Sequence, residues 1–504
     1  MYMVGLYEWF KKTSLARGEK TAVIFEESRL TYMQLLGLSE KMACGLCRLG
    51  VHKGAHVSLL FKNSANMLGL YFALLKIGAL TSPLNYRESL HELTALSRGV
   101  ETEFLVCADN FRQLGRDICS LIGAKLVTES ELLEMAQTEQ DVRFEEVMAD
   151  DLVLNIFTGG TTGVPKAASH SNAGLRNQIQ SCFELESPVA EDDVFLNYAP
   201  MFHIGGFTAA MQTLCAGATI IISRVFEPQQ LLAFIAREGV TQMSLIPPSL
   251  CTELLKCGNL DLDGLSSIRM VRMSGGACTV GNVQKVFELF PNAKAFVGYG
   301  MSERAVNMVN IIDRNRPVRA INGNISVGVP GRGSICKLVD ENGTEIKRPG
   351  QVGEVCGKGP CMMAGYYGRE DSFDADGWFA TGDLMFFDSD GYYYFVDRKK
   401  DMIKSGGENV YSNVVEQILN SHPYVADSAV VGIPDERLGE MVAAAVVLKS
   451  GAPDVTAQEL ADYCGTKGAG FKKARRIVFV KELPRSKMGK LDRQAVRELI
   501  CGGR

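Results

Sequence analysis

The sequence predicts a two-domain α/β protein: a large N-terminal domain of layered sheets with flanking helices and a small β-barrel-like part, then a small mobile α+β domain. Three observations predict it. Between about residues 20 and 300, short apolar strand-like runs alternate with helical ones, the pattern of largely parallel sheets covered by helices. Beyond about 300, Gly- and Pro-rich turns separate short strands, the texture of an antiparallel barrel or small sheet. After Asp397 a charged stretch, DRKKDMIKSGGENV, precedes a compact mixture of helices and strands. The length of 504 residues agrees, since one hydrophobic core does not organise that much chain. The domains are placed at 1–397 and 398–504, with the hinge near 398–400.

The elements follow in order. HVSLLFKN is a strand leading into a helix, ANMLGLYFALLKIGA, and EFLVCADN leads into the helix FRQLGRDICSLIGA. The apolar run 67–80 is broken by Lys76 and reads as a core helix. ATIIIS, TQMSLIPP, IRMVRMSGG and AKAFVGYG are strands, each beside a helical segment, and MSGGAC and GYGMSE fall at strand ends, where ligands collect in such sheets. FFDSDGYYYFVD is a hairpin turning at Asp390-Gly391. In the C-terminal part SNVVEQILNSH and AQELADYC are helices, and DSAVVGI, VAAAVVLK and RRIVFV are strands.

Composition narrows the function. Apolar content of 46% with 22% charged residues is that of a globular chain. A net charge of −5 argues against a nucleic-acid binder relying on bulk positive charge. The 14 cysteines sit mostly in apolar runs, as buried thiols do in a reducing compartment, and Cys44-x-x-Cys47 lies in a helical pattern with no second pair near it. No basic segment followed by a sustained apolar run opens the chain, and no apolar run reaches the length that spans a bilayer. A cytoplasmic location with no membrane span is the expectation.

The most informative stretch is FTGGTTGVPK, residues 157–166, directly after the apolar run 152–157. A strand feeding a Gly-rich turn aims several backbone N–H groups at one point, as phosphate cradles do. Thr158, Thr161 and Thr162 add hydroxyls, Gly159, Gly160 and Gly163 let the backbone approach, and Lys166 adds a positive charge. The common P-loop needs glycine before the lysine and Ser or Thr after it, whereas Pro165 and Ala167 stand here. The loop therefore serves either a different nucleotide chemistry or none, as an ordinary Gly/Thr surface turn.

With these stretches in view, the chain resembles the superfamily of adenylate-forming enzymes, which includes acyl-CoA synthetases, peptide-synthetase adenylation domains and luciferases, over nearly its whole length. The loop resembles the family's TSGTTGxPKG, departing from it at Gly159 and Ala167. YGMSE, 299–303, resembles YGxTE: Tyr299, with Gly298, Gly300, Met301 and Ser302, would receive the adenine, and Glu303, with Thr162, the Mg²⁺ that bridges phosphates. Gly276 and Ala277 would join this ATP site. Thr381-Gly382-Asp383 resembles the TGD motif, and Asp383 with Arg398 would hold the ribose, a pure acceptor beside a multiple donor. Lys400 matches the hinge position. PRSKMGKLDR, 484–493, resembles the motif of the catalytic lysine, here Lys490, with Met488 in place of the usual Ser or Thr.

The resemblance implies an AMP-forming acid–thiol ligase using ATP, Mg²⁺ and coenzyme A. A carboxylic acid and ATP give an acyl-adenylate and pyrophosphate, and a thiol then displaces AMP. Amino-acid-activating relatives carry an aspartate against the substrate ammonium, whereas 197–207 here, NYAPMFHIGGF, has no acidic residue. That favours a free acid, an uncharged medium-chain or aromatic one, with a role in fatty acid metabolism as one setting; loading of a separate carrier protein is the alternative. His203, Phe207, Ser274, Gly275 and Gly298 would line the acyl pocket, His203 near the reacting carboxylate. Arg304 would face solvent or pair a second polar group on the acid. Ser405, Gly406, Gly407 and Lys472, the last with Lys473, Arg475 and Arg476 in a basic cluster, would meet CoA. The partners implied are small molecules, and a homodimer stays open.

Overall fold

The computed structural model describes residues 5–135, 142–158, 165–185, 188–258, 263–321, 324–467, 473–485 and 491–502; of 304–307 and 324 only the backbone is described. Two compact units emerge. The first comprises Met1–Arg319, Val327–Ile335 and Lys358–Phe379, the second Ala320–Ser326, Cys336–Gly357 and Ala380–Arg504. The second thus takes in more than 398–504, because the sheet that precedes Arg398 clusters with the C-terminal part.

Among the described residues, the first unit holds two large sheets. In the nine-stranded one the strands Lys294–Met301, Met270–Met273, Gln242–Leu245, Val194–Asn197, Thr219–Ile222 and Thr21–Phe25 run parallel. On one side the antiparallel strands Arg304–Ile312 and, at the edge, Val329–Pro330 complete it; the other edge is the antiparallel strand Ser28–Thr31. The seven-stranded sheet runs Gly365–Tyr366, Lys166–Ser171, Leu152–Thr158, Leu80–Pro83, His56–Leu60, Phe104–Cys107 and Lys125–Thr128. Of these strands Lys166–Ser171 alone runs against the rest, pairing antiparallel with both of its neighbours.

One buried cluster takes Val23, Ile220 and Ile222 from the first sheet and Val57, Leu59 and Ile156 from the second. It also takes Phe10, Leu35, Phe72, Leu175 and Met211 from helices, so a helical layer is pressed between the sheets. Each such side chain contributes about 1.5–3 kcal/mol of burial. The helices Ala65–Ile77 and Ile204–Ala216 are both buried along most of their length, and the ends of Ala65–Ile77 are set by its sequence. Ser64 Oγ accepts from Met67 N at 3.1 Å to start it, and Gly78, at φ 78°, ends it. The apolar run 67–80 is therefore two elements: glycine stops the helix, and Leu80 opens the strand Leu80–Pro83.

In the second unit the barrel-like part is a five-stranded sheet whose order is Glu345–Ile346, Ile335–Val339, Gly353–Lys358, Phe379–Phe387 and Tyr393–Arg398. Its hairpin 379–398 turns at Asp388–Tyr392: Asp388 Oδ1 accepts from the N–H of Asp390 and Tyr392, and Gly391 takes φ 80°. The C-terminal part pairs Val425–Asp435 with Gly439–Leu448 antiparallel and Arg476–Phe479 with Gly439–Leu448 parallel. Helices Ser412–Asn420, Ala457–Lys467 and Arg493–Gly502 cover it. No helix among the described residues is long and apolar enough to cross a membrane, and no disulfide joins the described cysteines.

Candidate active site

The Gly/Thr loop hangs from a hairpin. Thr158 ends one strand, Lys166 opens the next in register opposite it, and Thr158 Oγ1 donates to Lys166 O at 3.3 Å. Gly159, Gly160, Thr161, Thr162 and Gly163 lie outside the described residues. The chain thus leaves the loop through an antiparallel strand and enters a helix only at Asn172, unlike the strand–loop–helix of a P-loop. Lys166 Nζ rests over the ring of Tyr366, 4.7 Å from its centre.

GYGM forms the last four residues of the strand Lys294–Met301, at its carboxyl end as expected, and the strand makes a two-residue turn, Ser302-Glu303, into Arg304–Ile312. Gly298 is required there because a Cβ would come within 2.5 Å of the Phe296 ring. Glu303 is 6% exposed, and its Oε1 accepts from the Tyr366 hydroxyl at 2.5 Å. Burial, and then the Glu303 charge, push the Tyr366 phenol pKa well up, so it stays a donor. The turn is also held from behind. His170 Nε2 donates to Ser302 O at 3.0 Å while its Nδ1 accepts from Gln178 Nε2 at 3.0 Å. Full burial of that imidazole lowers its pKa to about 4, so it is neutral at physiological pH. A buried carboxylate suits a hard divalent cation, whose preference is oxygen ligands. Thr162, its expected companion, lies outside the described residues, and so does the side chain of Arg304.

The acyl-pocket candidates divide. Ser274, Gly275, Gly276 and Ala277 follow the strand Met270–Met273, with Gly275 at φ 73° and Gly275, Gly276 and Ala277 exposed. His203 caps the helix Ile204–Ala216 and its ring lies 4.8 Å from that of Phe202. Both loops meet at Ile246. A Cβ on Gly275 would come within 2.8 Å of its Cγ2, and one on Gly205 within 3.8 Å of its Cδ1, while Tyr198 Oη accepts from Ile246 N at 2.8 Å. Phe207, by contrast, is 1% exposed and packs edge-on against Tyr71 at 5.1 Å. It is part of the buried core cluster.

In the second unit Asp383 and Arg398 face each other in register across the hairpin, Oδ1 to Nε 3.5 Å apart, with Asp383 6% exposed. Gly382 takes φ 74°, which glycine alone adopts cheaply, and donates to Glu354 Oε1 at 3.0 Å. Thr381 Oγ1 donates to Val355 O at 2.8 Å and accepts from Asp383 N at 3.1 Å. Asp397, one residue before Arg398, accepts from Ser412 Oγ at 2.8 Å and Asn413 N at 3.2 Å, tying this strand to the next helix; burial raises its carboxyl pKa. Lys400 is exposed on the turn that follows.

Gly406 and Gly407 have a structural duty the sequence did not reveal. Both take positive φ, 60° and 85°, forming the two-residue turn between Ile403–Ser405 and Glu408–Val410. Lys472 lies outside the described residues, and Lys473 pairs with Asp462 at 2.6 Å rather than standing open for phosphate. Lys490 also lies outside them, but its loop is closed at the base. Arg485 bridges Leu491, Asp492 N donates to Pro484 O at 3.0 Å, and Arg493 is locked to Glu416 at 2.6 Å.

Tyr366, His170, Gln178 and Ile246 escaped the sequence reading. Their neighbours in sequence carry no chemistry, and their partners lie far along the chain.

These features define an adenylate-forming enzyme, and the comparisons agree: the AMP-binding enzyme family matches residues 10–367 and the AMP-binding enzyme C-terminal domain 414–490, so the chain belongs to that family. Among particular relatives, it is similar to the 2-succinylbenzoate–CoA ligase of Bacillus mycoides, 30% identical over 98% of both chains. Its structure is similar to ATP-bound MatB from Rhodopseudomonas palustris, with a TM-score of 0.89 and 27% identity over 98% of this chain and 99% of that one. It is also similar to o-succinylbenzoate CoA synthetase (MenE) from Bacillus subtilis in complex with the acyl-adenylate OSB-AMP. There the TM-score is 0.84 and the identity 28%, over 97% of both chains.

Proposed function

We propose that this chain is an AMP-forming acid–CoA ligase whose acid is aromatic, of the 2-succinylbenzoate type, working in the cytoplasm. The observation that carries the reading is the meeting, within one unit, of Lys166 and the buried Glu303 at Tyr366: a cation for phosphate beside a carboxylate for its metal. The relatives supply the acid class, and the small residues at 274–277 leave room for a ring.

The acid's carboxylate oxygen attacks the α-phosphorus of ATP, the bond to the bridging oxygen breaks, and pyrophosphate leaves. The CoA sulfur then attacks the acyl carbonyl, its proton is lost, and AMP leaves. Glu303, with Thr162 as its companion, would hold Mg²⁺, which would supply positive charge to offset that of the phosphates. Lys166 and the loop 158–163 hold phosphate, and Lys490 stabilises the charge that builds as the carboxylate attacks. Tyr299, with Gly276, Ala277, Gly298, Gly300, Met301 and Ser302 around it, takes the adenine. Asp383 and Arg398 take the ribose hydroxyls, and His203 orients the acyl group. Residues 398–504 rotate about Lys400 between the half-reactions, and Ser405 with Lys472 contacts CoA.

The deciding assay measures ATP–pyrophosphate exchange and CoA thioester formation with 2-succinylbenzoate, benzoate, octanoate and malonate. The expected result is exchange and thioester strongest with 2-succinylbenzoate. Thioester on a carrier's pantetheine but not on CoA would move the reading to carrier loading, and no exchange with any acid would end it.

A further inference from the structure

The segment behind the Mg²⁺ turn does more than fill space. Gly365–Tyr366 adds a short antiparallel strand to the edge formed by Lys166–Ser171, with Tyr366 opposite Ala168 and Gly365 opposite Ser169. Tyr366 N donates to Ser372 Oγ at 2.9 Å, and its ring packs edge-on toward Phe379 at 6.3 Å, so the side chain is aimed from two sides. Its hydroxyl reaches Glu303 Oε1 and its ring face receives Lys166 Nζ. Three residues earlier, Met363 N donates to Glu303 O at 2.8 Å. One stretch of chain thus grips both the backbone and the carboxylate of Glu303, and the same phenol seats the loop's lysine.

We propose that Tyr366 is the positioning residue of the nucleotide–metal site, its hydroxyl fixing the Glu303 carboxylate for the metal and its ring seating Lys166. The proposal rests on the functional reading above, in which Glu303 is the metal ligand. The hydroxyl engages Oε1, which orients the carboxylate plane and leaves Oε2 for a cation. The ring face attracts the ammonium by its quadrupole and so gives it a resting place other than the carboxylate. Without such a divider, two opposite charges of one empty site gain by neutralising each other, and incoming phosphate and metal must first pull them apart. Tyr366 keeps both charges available, each already pointed at its own partner.

Two substitutions separate the two halves of this role. Tyr366→Phe keeps the ring and loses the hydroxyl, and Tyr366→Leu loses both; Glu303→Gln reports whether that carboxylate binds the metal at all. Mn²⁺ serves as the metal probe, its binding to the ATP-loaded protein followed by electron paramagnetic resonance, with metal-free ATP binding followed by calorimetry in EDTA. Circular dichroism and thermal melting check each variant's fold. The expected result for Tyr366→Phe is an about tenfold weaker Mn²⁺ affinity, the scale of one hydrogen bond to a charged group, with metal-free ATP affinity within about twofold of the parent. Tyr366→Leu should weaken metal-free ATP binding as well. If Glu303→Gln weakens Mn²⁺ binding and Tyr366→Phe does not, the positioning role is wrong and the site reading stands. If Glu303→Gln leaves Mn²⁺ binding unchanged, the site reading falls and the role of Tyr366 with it. Should Tyr366→Leu fail to fold, Tyr366→Phe still decides the hydroxyl.

Discussion

His170 shows how much one buried group governs. It sits beneath the Ser302-Glu303 turn with both ring nitrogens engaged, and burial holds its pKa at about 4 against an ordinary 6.5. A base whose folded pKa is depressed binds its proton first in the unfolded chain. Its contribution is therefore whole above about pH 6.5, declines as pH falls, and is lost by about pH 4. The difference of about 2.5 units corresponds to roughly 3 kcal/mol. Thermal melts from pH 7 to 4.5 should therefore fall more steeply for the parent than for His170→Gln, which cannot titrate; parallel curves would show that the imidazole is charged or hydrated in the fold. The sequence offered no reason to single out this histidine, since its acceptor lies 132 residues away. Glu303 and Asp383 were legible because their neighbours in sequence form recognisable motifs, whereas Tyr366 acts only through residues that the sheet brings to it.

At the scale of elements, turns decided several roles. Gly406 and Gly407 suggested close approach to a ligand, yet their positive φ values answer to a tight hairpin. Gly407 has open space around its α-carbon, so Gly407→Ala should cost only backbone strain, about 1–2 kcal/mol, read as a lower melting temperature. CoA saturation at a temperature where the variant is folded tests the ligand role separately: an unchanged KM for CoA is the outcome expected if the turn is the whole reason for the glycine. The parallel strands and their helices were readable from apolar runs and periodicity. The antiparallel return at Lys166–Ser171 was not, because hairpin and strand–loop–helix geometries share the same local signals of a strand, a glycine-rich turn and an apolar continuation.

For the whole molecule, the C-terminal helix Arg493–Gly502 anchors the loop that carries Lys490. Arg493 meets Glu416 at 2.6 Å and donates to Val430 O at 2.6 Å, so the segment that follows Lys490 is fixed in its own unit. Under the proposed division of labour, Lys490→Ala should lose about 2–4 kcal/mol of transition-state stabilisation in adenylation, the scale of one preorganised charge donor. It should still convert a supplied acyl-adenylate and CoA to thioester. Single-turnover assays of each half-reaction check this, and equal losses in both would refute the division. The second unit also holds Asp383, Arg398 and Asp397 on one hairpin, so the two residues proposed to meet the ribose share a support with the one that ties this strand to the next helix.

By itself the sequence determined the α/β class, the order of the elements and the ATP-handling motifs, because periodicity and motif spacing are local properties of a chain. Tertiary structure alone decided which strand returns antiparallel, that Phe207 serves the core, and that Tyr366 stands between Lys166 and Glu303. These depend on contacts between residues distant in sequence, whose energies arise only when the sheets close over their helices.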